Sequence, residues 1–249
     1  MCTIILVYKV LQDFPIVIAH NRDELRTRDI GKPPRILSDK PKIIAPQDTT
    51  AKGTWMGFNE YGLVNSLTNV EQTDLKPKAK SRGLLVLGGL GKDSCQGLEA
   101  YTLDELKNNP FNYFNLLYAD NDSAYTLTFK GDVGEVDYRP LSVGLHILPS
   151  SQLDNGNNPE RRRNRINELY HANGSRDIDE LLEKIMLICS DHYGEEGGSK
   201  ESICMHSDLT ATVSSTIIAV HRDISNSRIF HAQGPPCQNR YGDYSGILN

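Results

Sequence analysis

A cysteine stands directly behind the first methionine in MCTIILVYKV, at the head of an apolar run. Two readings of Cys2 are open. As a small apolar residue it fills a core, since free cysteine is among the most buried residue types. Alternatively, removal of Met1 makes Cys2 the amino terminus and joins a thiol and an α-amine on one residue. The amine has a pKa of about 7.7–8.0 and the thiol one of about 8.5. An amine with that pKa can serve as general base for its own thiol near neutral pH, with no histidine required.

The second group with chemical potential is Asn21-Arg22-Asp23-Glu24, which directly follows the apolar run 15–20. A hairpin joining residues 2–8 to that run would set the start of the first strand beside the end of the second. There Arg22 would lower a thiol's pKa, and Asp23 would hydrogen-bond an α-ammonium or orient the amine. The alternative is a capped turn in which Asn21 or Asp23 opens a short helix and Arg22 is solvated.

Other candidates are weaker. Trp55, set in GTWMG at residues 53–57, lines a pocket mouth or plugs a sheet. Cys204-Met205-His206 carries soft donors, and His221 and His231 fall on late apolar runs. The chain's seven histidines lack metal-ligand spacing, however, so they read as structural or surface residues and no metal site is expected. The carboxylates form no paired acid–base signature. The glycines at 88, 89 and 91 follow a helix rather than a strand, which argues against a phosphate cradle.

The composition is that of an ordinary soluble globular protein, with 249 residues, 38% hydrophobic and 24% charged. A net charge of -5 offers no basic face to nucleic acid or an anionic membrane, and the arginines at 161–163 are too short a run to change that. Five scattered cysteines without a C-x-x-C pair argue against a disulfide framework or zinc knuckle and for a reducing compartment. No apolar stretch approaches the ~20 residues that cross a bilayer. The run 3–8 is interrupted by Lys9, with no small-residue cleavage site following, so a cytoplasmic location is expected.

The elements that must position these residues follow from periodicity. Strands are expected at 2–8 and 15–20, near 42–45, and on either side of an Asn59-Glu60-Tyr61-Gly62 turn. Helices follow at 81–90 and 94–107, with Thr102-Leu103-Asp104-Glu105 resembling a capping box that starts a new helical turn. Four strands come next (114–119, 124–129, 135–138, 141–148), then a helix from 160 to 173 stopped by Gly174. Asp177-x-x-Glu180 caps a second helix, and strands at 213–221 and 228–232 close the pattern. The polar stretches 150–158 and 194–201 read as surface loops of one domain spanning 1–249. This order implies an α+β fold of two stacked sheets with helices on their outer faces.

The motifs M-C-T at the start, N-R-D-E at 21–24, G-T-W-M-G at 53–57 and N-x-F-N-L-L at 112–117 resemble one family. It is the Asn-Arg-Asp-Glu (NRDE) family, also called the transport-and-Golgi-organisation protein 2 family. The likeness continues into TVSSTIIAV at 212–220. The resemblance implies an N-terminal-nucleophile (Ntn) hydrolase fold, a four-layer αββα sandwich. A more distant similarity is to the choloylglycine hydrolases and penicillin V acylases, whose G-x-N-E-x-G-L stretch leads to an oxyanion asparagine, here Asn69. By that likeness Cys2 is nucleophile and base, Arg22 and Asp23 are its polar neighbours, and the Asn69 amide donates to the oxyanion. Asn21, Trp55, Asn65 and His146 are the substrate contacts it suggests.

The chain departs from the family pattern twice. Where relatives read G-L-S-N it has Gly144-Leu145-His146-Ile147, and where they carry T-R-T-N-T it has Thr212-Val213-Ser214-Ser215-Thr216. Three functions remain open on these grounds. One is hydrolysis of a small-molecule linear amide through a thioester on Cys2, needing no cofactor. Another is non-catalytic binding of haem, an acyl-CoA or a lipid in the same pocket, which the family's association with haem trafficking implies. The last is a retained interaction scaffold.

Overall fold

The computed structural model describes residues 2–150, 159–172, 175, 177–192 and 202–248. Met1, Gly174 and the stretches 151–158 and 194–201 expected as loops lie outside the described residues. The chain opens with a hairpin of β1 (Thr3–Tyr8) and β2 (Ile16–Leu25), then β3 (Lys32–Asp39), β4 (Lys42–Gln47), β5 (Met56–Asn59) and β6 (Val64–Asn69). Helices α1 (Arg82–Gly89) and α2 (Cys95–Asn108) follow, then β7 (Phe114–Ala119), β8 (Ala124–Phe129), β9 (Asp137–Pro140) and β10 (Gly144–Pro149). Helices α3 (Pro159–His171) and α4 (Ile178–Ser190) precede β11 (Thr210–Val220), β12 (Arg228–Ala232) and β13 (Gly242–Asp243).

The strands form two antiparallel sheets, ordered β10-β1-β2-β11-β12-β13 and β3-β4-β5-β6-β7-β8-β9. One apolar cluster lies between them and joins Ile4, Leu6 and Ile18 to Phe58, Val64 and Leu117. A second packs the seven-stranded sheet on α1 and α2 through Leu67, Leu85, Leu98 and Leu116. A third packs the six-stranded sheet on α3 and α4 through Ile5, Val7, Ile166 and Leu182. The result is the four-layer αββα sandwich. Because both faces of each inner strand are covered, β1 is buried at every position and reads as an unbroken apolar run rather than an alternating one.

Beyond shifted strand ends and the unexpected short β13, three elements differ from the sequence expectation. Strand β2 does not end at His20 but carries Asn21 to Leu25 within it. Its polar side chains find partners on both faces, so burial costs them little and the strand can continue. Strand β3 fills a stretch expected to be loop; it lies at the sheet's edge, where Pro33 and Pro34 need not donate to a neighbour. Helix α2 is continuous, capped by Ser94, whose hydroxyl accepts from the Gly97 amide. The Thr102 hydroxyl donates back to the Leu98 carbonyl at 2.9 Å instead of capping a new turn.

The expected hairpin turn is present. Gly62 takes φ +80°, and the Asn59 side chain accepts from the Tyr61 and Leu63 amides at 3.0 and 3.1 Å. Gly53 serves a different need: a Cβ there would stand 2.2 Å from the Gly83 carbonyl carbon, and only glycine lets the two backbones approach. That contact pins the start of α1 against the end of the loop before β5. No helix among the described residues is long and apolar enough to cross a membrane.

Candidate active site

The β1–β2 register pairs Thr3 with Asn21, which sets Cys2 beside the polar end of β2. Cys2 is 7% exposed, and its thiol donates to the Asp23 carbonyl with the sulfur 3.7 Å away. The Cys2 amide nitrogen donates to Ser150 Oγ at 2.9 Å. The Ser150 hydroxyl donates to the Cys2 carbonyl at 3.2 Å, and the Ser150 amide reaches the same carbonyl at 2.9 Å. Cys2 opens into a cavity of about 290 Å³ whose lining includes Arg22, Asp23, Trp55, Asn69 and Arg82. Four expected site residues besides Cys2 thus meet around one space.

Arg22 and Asp23 leave β2 in different directions. The Arg22 guanidinium lies over the Trp55 ring, 4.5 Å from its centroid, and donates to the Ile30 carbonyl at 3.1 Å. It also stands 3.7 Å from Glu24 and 3.9 Å from Asp48. The Asp23 carboxylate accepts from the Thr212 hydroxyl at 2.6 Å and faces Arg162 of α3 at 3.8 Å. A β-bulge between Thr212 and Ser214 turns that hydroxyl toward Asp23. Arg162 also donates to Thr3 Oγ1 at 2.8 Å, so α3 braces the first two strands together.

Burial dominates the electrostatics. It pushes the Cys2 thiol up, and the Asp23 carboxylate pushes the same way, while the positive chain terminus and Arg22 pull it down. Arg22 therefore acts in the sense the sequence implied, but burial outweighs it and the resting thiol is protonated. Burial also raises the Asp23 carboxyl against the pull of the chain terminus, Arg162 and Thr212.

Asn69 ends β6 at the cavity, and its side-chain amide has no hydrogen-bond partner among the described residues. Three further residues suggested as substrate contacts are placed elsewhere. Asn21 faces α4 and donates to the carbonyls of Cys189 and Ile203 at 2.8 and 2.9 Å. Asn65 faces α1 and donates to the Val86 carbonyl at 3.1 Å. His146 pairs with Leu6, well along β1 from Cys2, and its Nε2 meets the Ser142 carbonyl at 2.7 Å. It lines a separate depression of about 340 Å³ with Thr126, Arg139 and Arg163. The residue that β10 brings to Cys2 is Ser150, because the register pairs Thr3 with Pro149.

Arg82 is the residue the sequence reading missed. It starts α1, donates to the Tyr113 carbonyl at 2.7 Å and lines the cavity. Burial lowers its pKa, while Cys2 and Glu24 favour its charged form. The signal for it was indirect, in the glycine that follows it and packs on Gly53.

A buried polar set lies behind Arg22 in β2. His20 Nδ1 meets Ser66 Oγ at 2.9 Å, while its Nε2 has no partner. On the neighbouring strands Thr216 meets His231 Nδ1 at 2.9 Å, and Gln233 Oε1 accepts from His231 Nε2 at 2.8 Å. Burial lowers His20 to a pKa of about 3 and His231 to about 4.

Solved structures share this architecture. A conjugated bile acid hydrolase from Clostridium perfringens matches with a TM-score of 0.58 at 11% identity, covering 98% of this chain and 96% of that one. A penicillin V acylase from Agrobacterium tumefaciens matches with a TM-score of 0.58 at 15% identity, covering 100% of this chain and 88% of that one. The Caenorhabditis elegans orthologue of N-acylethanolamine-hydrolysing acid amidase matches at 0.55 and 12%, covering 88% of this chain and 92% of that one. These likenesses show the fold, that of the Ntn hydrolases. Among curated proteins, the human Transport and Golgi organization protein 2 homolog is 29% identical over 146 residues, covering 57% of this chain and 52% of its own length. The mouse homolog is 27% identical over the same span. The chain thus spans about half the length of the curated relatives it matches, 52%. The model of one family, Transport and Golgi organisation 2, matches residues 1–245, and the chain belongs to that family.

Proposed function

We propose that the protein is an N-terminal-nucleophile hydrolase that cleaves a small linear amide through a thioester on Cys2. The observation that carries this reading is the shared cavity: Cys2, Asn69 with its uncommitted side-chain amide, Arg22 and Arg82 all line it. Once Met1 is removed, the Cys2 nitrogen becomes an α-amine held by Ser150 Oγ, at 2.9 Å in this structure. The amine takes the thiol proton as sulfur bonds to the amide carbon. The carbonyl oxygen gains the negative charge, toward which Asn69 donates. Collapse breaks the C–N bond, and the departing amine takes the proton back from the α-ammonium. Water, deprotonated by the same amine, then converts the thioester to a carboxylic acid and the free thiol.

The route fits a buried thiol. A protonated resting thiol with an adjacent amine forms its thiolate only as it attacks, so no exposed thiolate has to be stored. Arg22 and Arg82 favour negative charge as it develops. The charged rim from Glu24, Arg28 and Asp48 selects a polar substrate, and the cavity of about 290 Å³ sits at the small end of ligand sites. For haem, the described lining offers the Cys2 thiol and no histidine, so the same pocket supports that alternative less well.

The test is intact-mass measurement with and without a small thiol alkylator, followed by incubation with an amide library. The expected result is loss of Met1, a single fast alkylation at Cys2, and an acyl adduct that disappears in Cys2→Ala. Met1 retained on the purified protein, or no acyl adduct with any amide, rejects the reading.

A further inference from the structure

Four side chains from three segments converge, His192 after α4, Cys204 and His206 ahead of β11, and Cys237 after β12. Each offers one ligand atom, and these atoms all lie within 4.8 Å of one another. The two sulfurs are 3.4 Å apart, and His206 Nε2 stands 3.1 Å from the Cys237 sulfur and 3.7 Å from the Cys204 sulfur. The rings of His192 and His206 stack with centroids 5.0 Å apart at 20°. His192 Nδ1 is buried and has no hydrogen-bond partner.

From this convergence we infer that His192, Cys204, His206 and Cys237 form a tetrahedral zinc site. Zinc bonds of about 2.3 Å to sulfur and 2.0–2.1 Å to nitrogen put ligand atoms about 3.3–3.8 Å apart in a regular tetrahedron. The three separations among Cys204, His206 and Cys237 lie within about half an ångström of those edges, and the 4.8 Å limit on the whole set leaves His192 to close in by about an ångström on binding. A set of two sulfurs and two imidazoles in tetrahedral array suits zinc rather than the oxygen-seeking magnesium or calcium. Zn²⁺ with two thiolates and two neutral imidazoles is uncharged; the two thiol protons leave to solvent on binding. All four positions are taken by protein, which makes the site structural rather than catalytic.

The backbone around the cluster is already arranged to hold it. The Cys204 amide donates to the Asp191 carbonyl at 3.0 Å, tying the Cys204 segment to the residue before His192. Asp191 is itself fixed by Arg165 at 2.9 and 3.0 Å. Cys237 sits in the turn after β12, where the amides of Gln238 and Asn239 both donate to the Pro235 carbonyl. A metal here would staple the end of α4, the segment leading into β11 and the segment after β12. The segment leading into β11 also reaches the Cys2 site: the Met205 amide donates to Thr212 Oγ1 at 2.8 Å, and Thr212 holds Asp23 at 2.6 Å. Linear spacing hid this cluster, because only Cys204 and His206 are close in sequence.

Metal content of the full chain, purified without chelator, tests the inference independently of any hydrolase activity. About one zinc per chain is expected by mass spectrometry, and Co²⁺ added to stripped protein should give thiolate charge-transfer bands with tetrahedral d–d bands. Cys237→Ser and Cys204→Ser should each lower bound zinc at least about 10-fold, whereas Cys95→Ser, a buried cysteine elsewhere, should keep it. Chelation should lower the melting temperature of the wild type and leave that of Cys237→Ser unchanged. A folded wild type that takes up neither zinc nor cobalt overturns the inference. So does metal content unaffected by both ligand variants, or a Cys204–Cys237 disulfide in place of bound metal.

Discussion

Lowering the pH should destabilise the fold between about pH 6.5 and 4, through the two histidines buried between the sheets. Unfolded, each imidazole takes up a proton near pH 6.5. Folded, His20 waits until about 3 and His231 until about 4, because burial disfavours the imidazolium. In the interval the unfolded chain holds more protons than the folded one, so stability is full above pH 6.5 and falls as pH falls. The slope is about 1.4 kcal/mol per pH unit for each histidine. At pH 5 each has therefore removed about 2 kcal/mol, and both together about 4, from a total that for folded domains is about 5–15 kcal/mol. Asp23 works in the opposite sense, since burial raises its carboxyl and the folded chain takes that proton first. Its contribution cancels on comparing the wild type with His20→Gln. Urea unfolding can be followed by the fluorescence of Trp55, the chain's one tryptophan. The variant's stability should decline less steeply from pH 6.5 to 5, by about 1.4 kcal/mol per pH unit. Parallel curves for the two proteins would refute the assignment of a neutral, buried His20.

The other predictions concern single contacts. Thr212→Val removes the hydroxyl that donates to Asp23 at 2.6 Å, and should cost about 1–3 kcal/mol in urea unfolding, with Thr212→Ser recovering most of it. Gly53→Ala drives a methyl to 2.2 Å from the Gly83 backbone and should destabilise by about 1–3 kcal/mol or displace α1, seen as altered amide shifts at its first turn. On the proposed route Asn69→Ala should lower kcat about 10²–10³-fold with little change in KM, measured on whichever amide acylates Cys2. An equal loss in Asn65→Ala, whose side chain faces α1, would count against that role.

Much of the architecture was legible because apolar periodicity and turn chemistry are local. The hairpin at the start, the Asn59–Gly62 turn and the Asp177 cap all rest on residues close in sequence. The extension of β2 through Leu25 was not legible, because Asn21 and Asp23 are stabilised by Cys189, Ile203, Thr212 and Arg162, all far along the chain. The site divided in the same way. Cys2, Arg22, Asp23, Trp55 and Asn69 were found from motifs and do meet at one cavity. Arg82 belongs to no local pattern, and Cys204 and His206 are half of a donor set that only the packing of end segments on the sheet completes with His192 and Cys237.

The two departures from the family pattern take on a different meaning once the register is known. His146 replaces a polar residue at a position that faces a separate depression, whereas the group hydrogen-bonded to the Cys2 nitrogen is Ser150. Val213 brings no cation, yet two guanidinium groups approach from other elements: Arg162 of α3 faces Asp23, and Arg82 of α1 faces the cavity. Positive charge near a buried thiol and a buried carboxylate is a requirement of electrostatics, not of any one strand. Without Arg162, the Asp23 carboxylate would keep its Thr212 hydrogen bond but lose the fixed charge on the α3 side. A pocket that had simply decayed would have no reason to keep buried Arg162 on the carboxylate beside its thiol and half-buried Arg82 on its wall. Their presence argues that the charge balance around Cys2 is maintained from a different set of elements.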